Sequence, residues 1–429
     1  MRKCFFKKFL FCFFILLTLN TTFVFSTNNT IELTNITVDC PAALLMDFNS
    51  GKILYEKNIY EKIYPASLTK VLTAIIVLEK CELSDIATVS YNSIMSIQPG
   101  YVIANLQVGE ELTIEQLLYL LMVGSCNDAA IVLAEHISGS IEDFSILMNE
   151  KAKELGCTST NFVNPNGVHD ENHYSTAYDL ALITKYAMQN ETFKTIVSTT
   201  YYELPTTNKY DKTDRFFVTT NELLRGDYVY KYATGLKTGY TTPAKNCLIA
   251  SANKDNLELI TVVLGGEQTS EGASQRYLDT IALFEYGYST YSLKEIAKSG
   301  DTVQTINIKN ATRNTKKLDL TVSNKINILI NNNDKNSVFL PEIHINENLK
   351  APIKKGDIIG TITYTSEGIT YTENLLANSN VNKSYFLILF FVILLIFTLI
   401  IFYLKLFKRK KRKQKHKQNK RKQNKRKRK

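Results

Sequence analysis

Pro65-Ala66-Ser67-Leu68-Thr69-Lys70 sets a serine and a lysine three residues apart at the start of an apolar run. Positions i and i+3 are neighbours on a helix surface, so Ser67 near a helix N-terminus and Lys70 one turn on can meet as nucleophile and base. An ordinary lysine is protonated at neutral pH, but burial beside a second cation lowers its pKa and frees the amine. The helix expected over 67–79 carries Val71, Leu72, Ala74, Ile75 and Leu78, a broad apolar face that makes it central and mostly buried. Taken alone, Ser-x-x-Lys is common, and a capping serine followed by a surface lysine explains it as well. Its meaning depends on what else the chain supplies.

Two further triplets follow at gaps of 58 and 112 residues, Ser125-Cys126-Asn127 and Lys237-Thr238-Gly239. Ser125 and Asn127 precede a helix expected over 128–137, which they could cap. Lys237-Thr238-Gly239 could be no more than a strand ending in a turn. Ser-x-x-Lys, Ser-x-Asn and Lys-Thr-Gly in this order are nevertheless the joint signature of penicillin-binding proteins and class A β-lactamases. The sequence resembles the low-molecular-mass penicillin-binding proteins that act as serine D-alanyl-D-alanine carboxypeptidases. The resemblance runs over about residues 38–375 and is carried by PASLTKVLTA around Ser67, LMVGSCNDAA around Ser125, NFVNPNGV after it, YSTAYDLALI at 174–183, GLKTGYTTPA around Lys237 and LKAPIKKGDIIGTITY at 349–364.

The resemblance implies a role for each motif residue. Ser67 attacks the peptide carbonyl and carries the acyl group, Lys70 takes the hydroxyl proton as a neutral amine, and Ser125 relays a proton to the departing D-alanine. Asn127 holds a substrate amide and helps position Lys70. Lys237 lowers the pKa of Lys70 and meets the terminal carboxylate, to which Thr238 adds a hydrogen bond. The main-chain N–H groups of Ser67 and Tyr240, the latter next to Gly239, form the oxyanion hole. The implied substrate is the pentapeptide stem of peptidoglycan, with β-lactams as acylating inhibitors and no cofactor or metal. Asn164-Pro165-Asn166-Gly167 reads only as a turn, and Cys126 as a packed side chain.

Charge is segregated along the 429 residues. The net charge of +10 hides 17 Lys or Arg and no acid in 405–429, and four bases (Arg2, Lys3, Lys7, Lys8) and no acid in 1–26. Between them lie 30 bases and 41 acids, so the body is acidic. Basic residues ahead of the apolar run 9–19, with small residues up to Ser26, read as an export signal over 1–26. Residues 385–404 are 20 in a row without a charge, enough to cross the ~30 Å hydrocarbon core as a helix. The basic run after them should stay cytoplasmic. These features predict an exported protein folded outside the cell and held by one C-terminal span. The tail 405–429 is expected to be disordered, and no nucleic-acid partner is expected, because the run lacks interleaved aromatics and sits beside a span. Cys40, Cys81, Cys126, Cys157 and Cys247 are odd in number, with no Cys-x-x-Cys spacing, and imply neither a disulfide framework nor a metal site.

The fold class expected is α+β, a penicillin-binding/β-lactamase-like domain of helices on a mostly antiparallel sheet over 38–288. Paired strands at 42–47 and 52–55 open it, a Thr113/Gln116 capping box starts a helix at 114, and LELITVVLG at 257–265 reads as a central strand. A small all-β domain over 291–371 and a polar linker over 372–384 lead to the span. Alternatives with the same motifs are a DD-endopeptidase acting on cross-links and, further off, a β-lactamase. A β-lactamase needs a deacylating glutamate, and Glu171 is the one acid offered between 161 and 176 besides Asp170. A non-catalytic wall-binding protein would have no use for a lysine base. Oligomeric state is not legible.

Overall fold

The computed structural model describes residues 36–426. Strands β1 (Ala42–Asp47) and β2 (Ile53–Lys57) form the opening hairpin. A short 3-10 turn, Ala66–Thr69, then runs into helix α1 (Lys70–Lys80), so Ser67 lies in that turn one residue-pair ahead of the α-helix expected to begin with it. The next elements are β3 (Ile86–Thr88), α2 (Tyr91–Met95), β4 (Glu111–Thr113), α3 (Ile114–Met122), α4 (Asn127–Ser138), α5 (Ile141–Glu154), α6 (Ala177–Ala187) and α7 (Glu191–Ser198). Strands β5 (Tyr201–Leu204) and β6 (Arg215–Val218) make a side hairpin. The long strands β7 (Ala233–Thr241), β8 (Lys245–Lys254) and β9 (Leu257–Gly266), with helix α8 (Gln275–Thr290), complete the domain.

The main sheet is antiparallel in the order β2-β1-β9-β8-β7. Leu257–Gly266 is its middle strand, which explains its unbroken apolar run: Leu259, Ile260, Val262, Val263 and Leu264 are all buried. Alternation sorts β1 between two cores. Ala42, Leu44 and Met46 face the helical layer, while Ala43 and Leu45 face α8 with Tyr277, Leu283 and Phe284. Helix α1 is buried from Lys70 through Val77 and lies among α3, α4, α5 and α6. Thr113 and Gln116 form the expected capping box at α3. The strand that carries Lys237 is the sheet's edge, and it passes the start of α1.

The second domain holds strands β10 (Tyr291–Ala297), β11 (Thr302–Asn307), β12 (Lys317–Val322), β13 (Ile326–Asn331), β14 (Glu342–Ile345), β15 (Ile358–Ser366) and β16 (Ile369–Ala377). β10 pairs with β13, and the others form a five-stranded sheet ordered β11-β12-β16-β15-β14 over a core of Leu318, Leu320, Ile328, Ile362 and Leu375. The polar linker expected over 372–384 is a correction. Residues 372–377 finish β16, Val381 is buried and bridges Ile353, and Lys383 bridges Ala311. Thr372 and Asn374 face solvent, while the half-buried Glu373 shares a face with the buried Leu375 and Ala377, so a composition reading misses the strand. The hairpin turns at Glu367 and Gly368, both with positive φ (54° and 75°), as a tight two-residue hairpin turn requires.

Helix α9 runs from Phe386 to Arg426. It is long and apolar enough over its first part to cross a membrane. The tail expected to be disordered continues this helix to Arg426, because Lys, Arg and Gln are good helix formers and the apolar segment supplies the nucleus. The export signal expected over 1–26 lies outside the described residues.

Candidate active site

The sequence around Ser67 folds as it does because two loops press on it. Ala66 has φ +49°, which turns the chain sharply into the 3-10 turn and brings the Ser67 side chain to the surface of a cavity of about 590 Å³. Lys70, at the first position of α1, is completely buried. Its Nζ lies 3.0 Å from Ser67 Oγ, 2.9 Å from Asn127 Oδ1 and 2.7 Å from the main-chain oxygen of Asn166. Burial holds its pKa well below the ordinary lysine value, and the charge of Lys237 pushes in the same direction. The expectation from sequence named both causes, burial and a second cation; burial is the larger.

Ser125 stands between α3 and α4 with φ +57°, nearly buried, and lines the cavity opposite Ser67. Neither it nor Asn127 caps α4: the N-cap is Cys126, whose side chain makes no cap bond. The Asn127 amide nitrogen instead donates to Val102 O at 2.9 Å while its oxygen receives Lys70. Cys126 is packed in the core, and burial raises its thiol pKa. Asp128, one residue on, accepts from the N–H groups of Ala104 (2.9 Å) and Leu106 (3.2 Å), and so fixes the loop that carries Tyr101 and Val102 along the cavity wall.

Strand β7 supplies the third side. In the register Lys237↔Ile249, Thr238↔Leu248, Gly239↔Cys247, Tyr240↔Asn246 it passes directly beside the nucleophile. A Cβ at Gly239 would come 3.0 Å from Pro65 O and 3.1 Å from Ser67 N, so this close approach of backbone to backbone favours glycine. Thr238, Gly239 and the exposed Tyr240 line the cavity. Lys237 is fully buried behind that wall, donating to Thr238 O at 3.0 Å, and burial with the nearby Arg276 charge lowers its pKa to about 7.

Four contributors were not found by sequence reasoning. The Asn164–Val168 loop, read only as a turn, is part of the site: Asn166 offers its carbonyl to Lys70 and Pro165 its carbonyl to Thr73 at 2.6 Å. Its function uses backbone atoms, which leave no side-chain signal. His173 ties that loop to α1, Nδ1 accepting from Val163 N (3.2 Å) and Nε2 meeting Thr69 Oγ1 (2.8 Å); burial lowers its pKa to about 4, so it stays neutral there. Thr220 shares a hydrogen bond with the Thr238 hydroxyl. Arg276, at the start of α8, reaches the cavity wall and donates to Gly239 O at 3.3 Å. No spacing rule links residue 276 to the three motifs. Among the described residues no cluster of three or more His, Cys, Asp or Glu is gathered to hold a metal.

Gly167 gives a sharp test of the loop's placement. It has φ +81°, and a Cβ there would fall 1.8 Å from Ala66 O. Gly167→Ala is expected to cost about 3–5 kcal/mol from backbone strain and overpacking and to suppress penicillin labelling. Gly272→Ala, at φ +85° with open space around it, isolates the strain alone. Equal melting shifts for the two variants would remove the close-approach argument.

With this geometry in view, comparison with known proteins is direct. A model of the D-alanyl-D-alanine carboxypeptidase family, peptidase S11, matches residues 27–268, and one of the penicillin-binding protein 5 C-terminal domain matches 291–383. D-alanyl-D-alanine carboxypeptidase DacF of Bacillus subtilis is 34% identical over 357 residues, covering 81% of this chain and 87% of its own. DacC of Escherichia coli is 31% identical over 391 residues, covering 84% and 88%. Penicillin-binding protein 5 from Haemophilus influenzae aligns with a TM-score of 0.63 at 27% identity, over 82% of this chain and 99% of that one. The fold is also that of a peptidoglycan synthesis regulatory factor (PBP3) from Streptococcus pneumoniae, with a TM-score of 0.72 at 23% identity over 81% and 100% of the two chains. The chain belongs to the D-alanyl-D-alanine carboxypeptidase family. It is a serine peptidase of the low-molecular-mass penicillin-binding class, an enzyme of cell-wall synthesis.

Proposed function

We propose that Ser67 is the acylated nucleophile and Lys70 its base, and that the chain removes the terminal D-alanine from peptidoglycan pentapeptide stems. The observation that carries this reading is a fully buried lysine amine 3.0 Å from a cavity-lining serine hydroxyl. The Ser67 hydroxyl proton passes to the neutral Lys70 amine as Oγ attacks the carbonyl of the last peptide bond. The N–H groups of Ser67 and Tyr240 stabilise the oxyanion. Ser125 then passes a proton to the leaving amine of D-alanine, and water cleaves the Ser67 ester. Asn127 both holds Lys70 and faces the cavity, where it takes up a substrate amide. Arg276 brings positive charge and Thr238 a hydroxyl to the side where the free carboxylate of D-alanine binds, and Lys237, its pKa lowered to about 7, adds its charge when the arriving carboxylate favours its protonated form. β-Lactams acylate the same serine. Residues 386–404 cross the membrane once with the catalytic domain on the wall side, the basic tail inside, and residues 1–26 as the export signal.

Incubation with pentapeptide and with cross-linked muropeptides, followed by mass analysis, tests the reaction. Loss of one D-alanine from the pentapeptide is expected. Cleavage of cross-links with pentapeptide left intact would replace this reading with an endopeptidase. A β-lactamase is disfavoured by Glu171, which is exposed and lies away from the cavity wall.

A further inference from the structure

The end of the β domain next to the span is strongly basic. Three segments gather there through main-chain contacts: Ser384 N donates to Asn310 O at 2.7 Å, Thr312 N to Asn382 O at 2.9 Å, Ala351 N to Lys309 O at 2.9 Å, and Lys355 N to the Asn380 side chain at 2.7 Å. The first segment carries Lys309, Arg313, Lys316 and Lys317, and the second Lys350, Lys354 and Lys355. Lys383 follows at the exit, three residues before α9 begins. All of these are exposed, and among the described residues none forms an ion pair.

The carboxylates on the same end do not balance them. Asp319, which accepts from Thr305 Oγ1 at 2.6 Å, Asp357, which accepts from Lys354 N at 2.8 Å, and Glu347 set three negative charges against the eight bases, so the end stays net positive. The folded body between the signal and the tail is acidic, so this concentration is not a general property of its surface. Eight exposed cations clustered on one end make a surface that an anionic bilayer attracts, the more strongly the lower the salt. Their position decides which surface: with Ser384 bonded to the domain and Phe386 already in the helix, no slack separates these loops from the point where the chain enters the bilayer.

We infer that this face docks on the anionic phosphate headgroups of the leaflet that α9 enters, and so sets the β domain upright on the membrane. The inference rests on the reading that 386–404 spans the bilayer. It adds a second, electrostatic attachment to that span.

The test uses the full chain in nanodiscs of phosphatidylcholine alone or with phosphatidylglycerol, probed by amine acetylation and peptide mapping. Lys309, Lys316, Lys317, Lys354 and Lys355 are expected to be modified about threefold or more slowly in the anionic discs. Lys80 and Lys153, exposed on the catalytic domain, serve as references and should not change. High salt should remove the difference. A variant with Lys316→Gln, Lys317→Gln, Lys354→Gln and Lys355→Gln should lose the protection of Lys309 while keeping the parent's circular dichroism and thermal melt, which show that the β domain folds. Equal modification in both discs overturns the inference. So does protection by an added glycerol-phosphate polymer without protection by the anionic disc, which would assign the face to a free polymer. A chain that fails to co-elute with either disc refutes the span itself and the docking with it.

Discussion

Ser67→Ala is expected to abolish labelling by a fluorescent penicillin and to lower D-alanine release by about 10⁴-fold or more, as loss of a nucleophile does. The fold should survive. Ser67 is only half buried, and in its absence Lys70 keeps Asn127 Oδ1 and Asn166 O as partners. A thermal melt close to that of the parent enzyme alongside complete loss of labelling is therefore the expected pair of results. Labelling that persists in Ser67→Ala would overturn the assignment of the nucleophile.

Lys70→Arg is expected to slow acylation by about 10³-fold, within the range for loss of a general base. A guanidinium carries a charge and cannot give up its proton at any working pH, so the substitution separates a role as base from a role as cation. The pH profile of the parent enzyme carries the same information. Lys70 is useful only when neutral, so acylation should fall as pH drops through its depressed pKa. The Lys237 charge helps keep that pKa low. In Lys237→Met the Lys70 pKa should rise towards the ordinary lysine value, and the acid limb of the acylation profile should move to higher pH. A limb that stays in place would mean that burial alone tunes Lys70. The shape of the profile is the quantity to read, because Lys237 also serves substrate capture and its loss lowers the amplitude.

The sequence made most of this site legible because acyl transfer needs particular side chains. Ser67, Lys70, Ser125, Asn127, Thr238, Gly239 and Tyr240 come together around one cavity, with Lys237 just behind its wall. What escaped notice works differently. Asn166 contributes a main-chain oxygen and Gly167 a space, and neither leaves a pattern of residue types. Arg276 comes from a helix on the other side of the sheet and is brought to the site by tertiary packing. In the second domain, short apolar runs at 303–308, 317–322, 326–330, 343–345 and 358–363 read as strands. Tyr291–Ala297 and Ile369–Ala377 do not, since each is only partly buried and carries polar residues on its outer face. The continuous helix through the basic tail was missed because charge density argued for disorder while local propensity argued for helix.

The hairpin β15–β16 links the two ends of the molecule. At one end its turn residue Glu367 pairs with Lys52 of the catalytic domain at 2.7 Å; at the other, Ala377 leads through Val381 to the start of α9. Nine residues in each strand span roughly 30 Å. Because residues 372–384, expected as a polar linker, are strand and bridge, little slack separates the β domain from α9. With α9 spanning the bilayer as proposed, the active site is held at a set height, and stem peptides at that height are the ones within its reach.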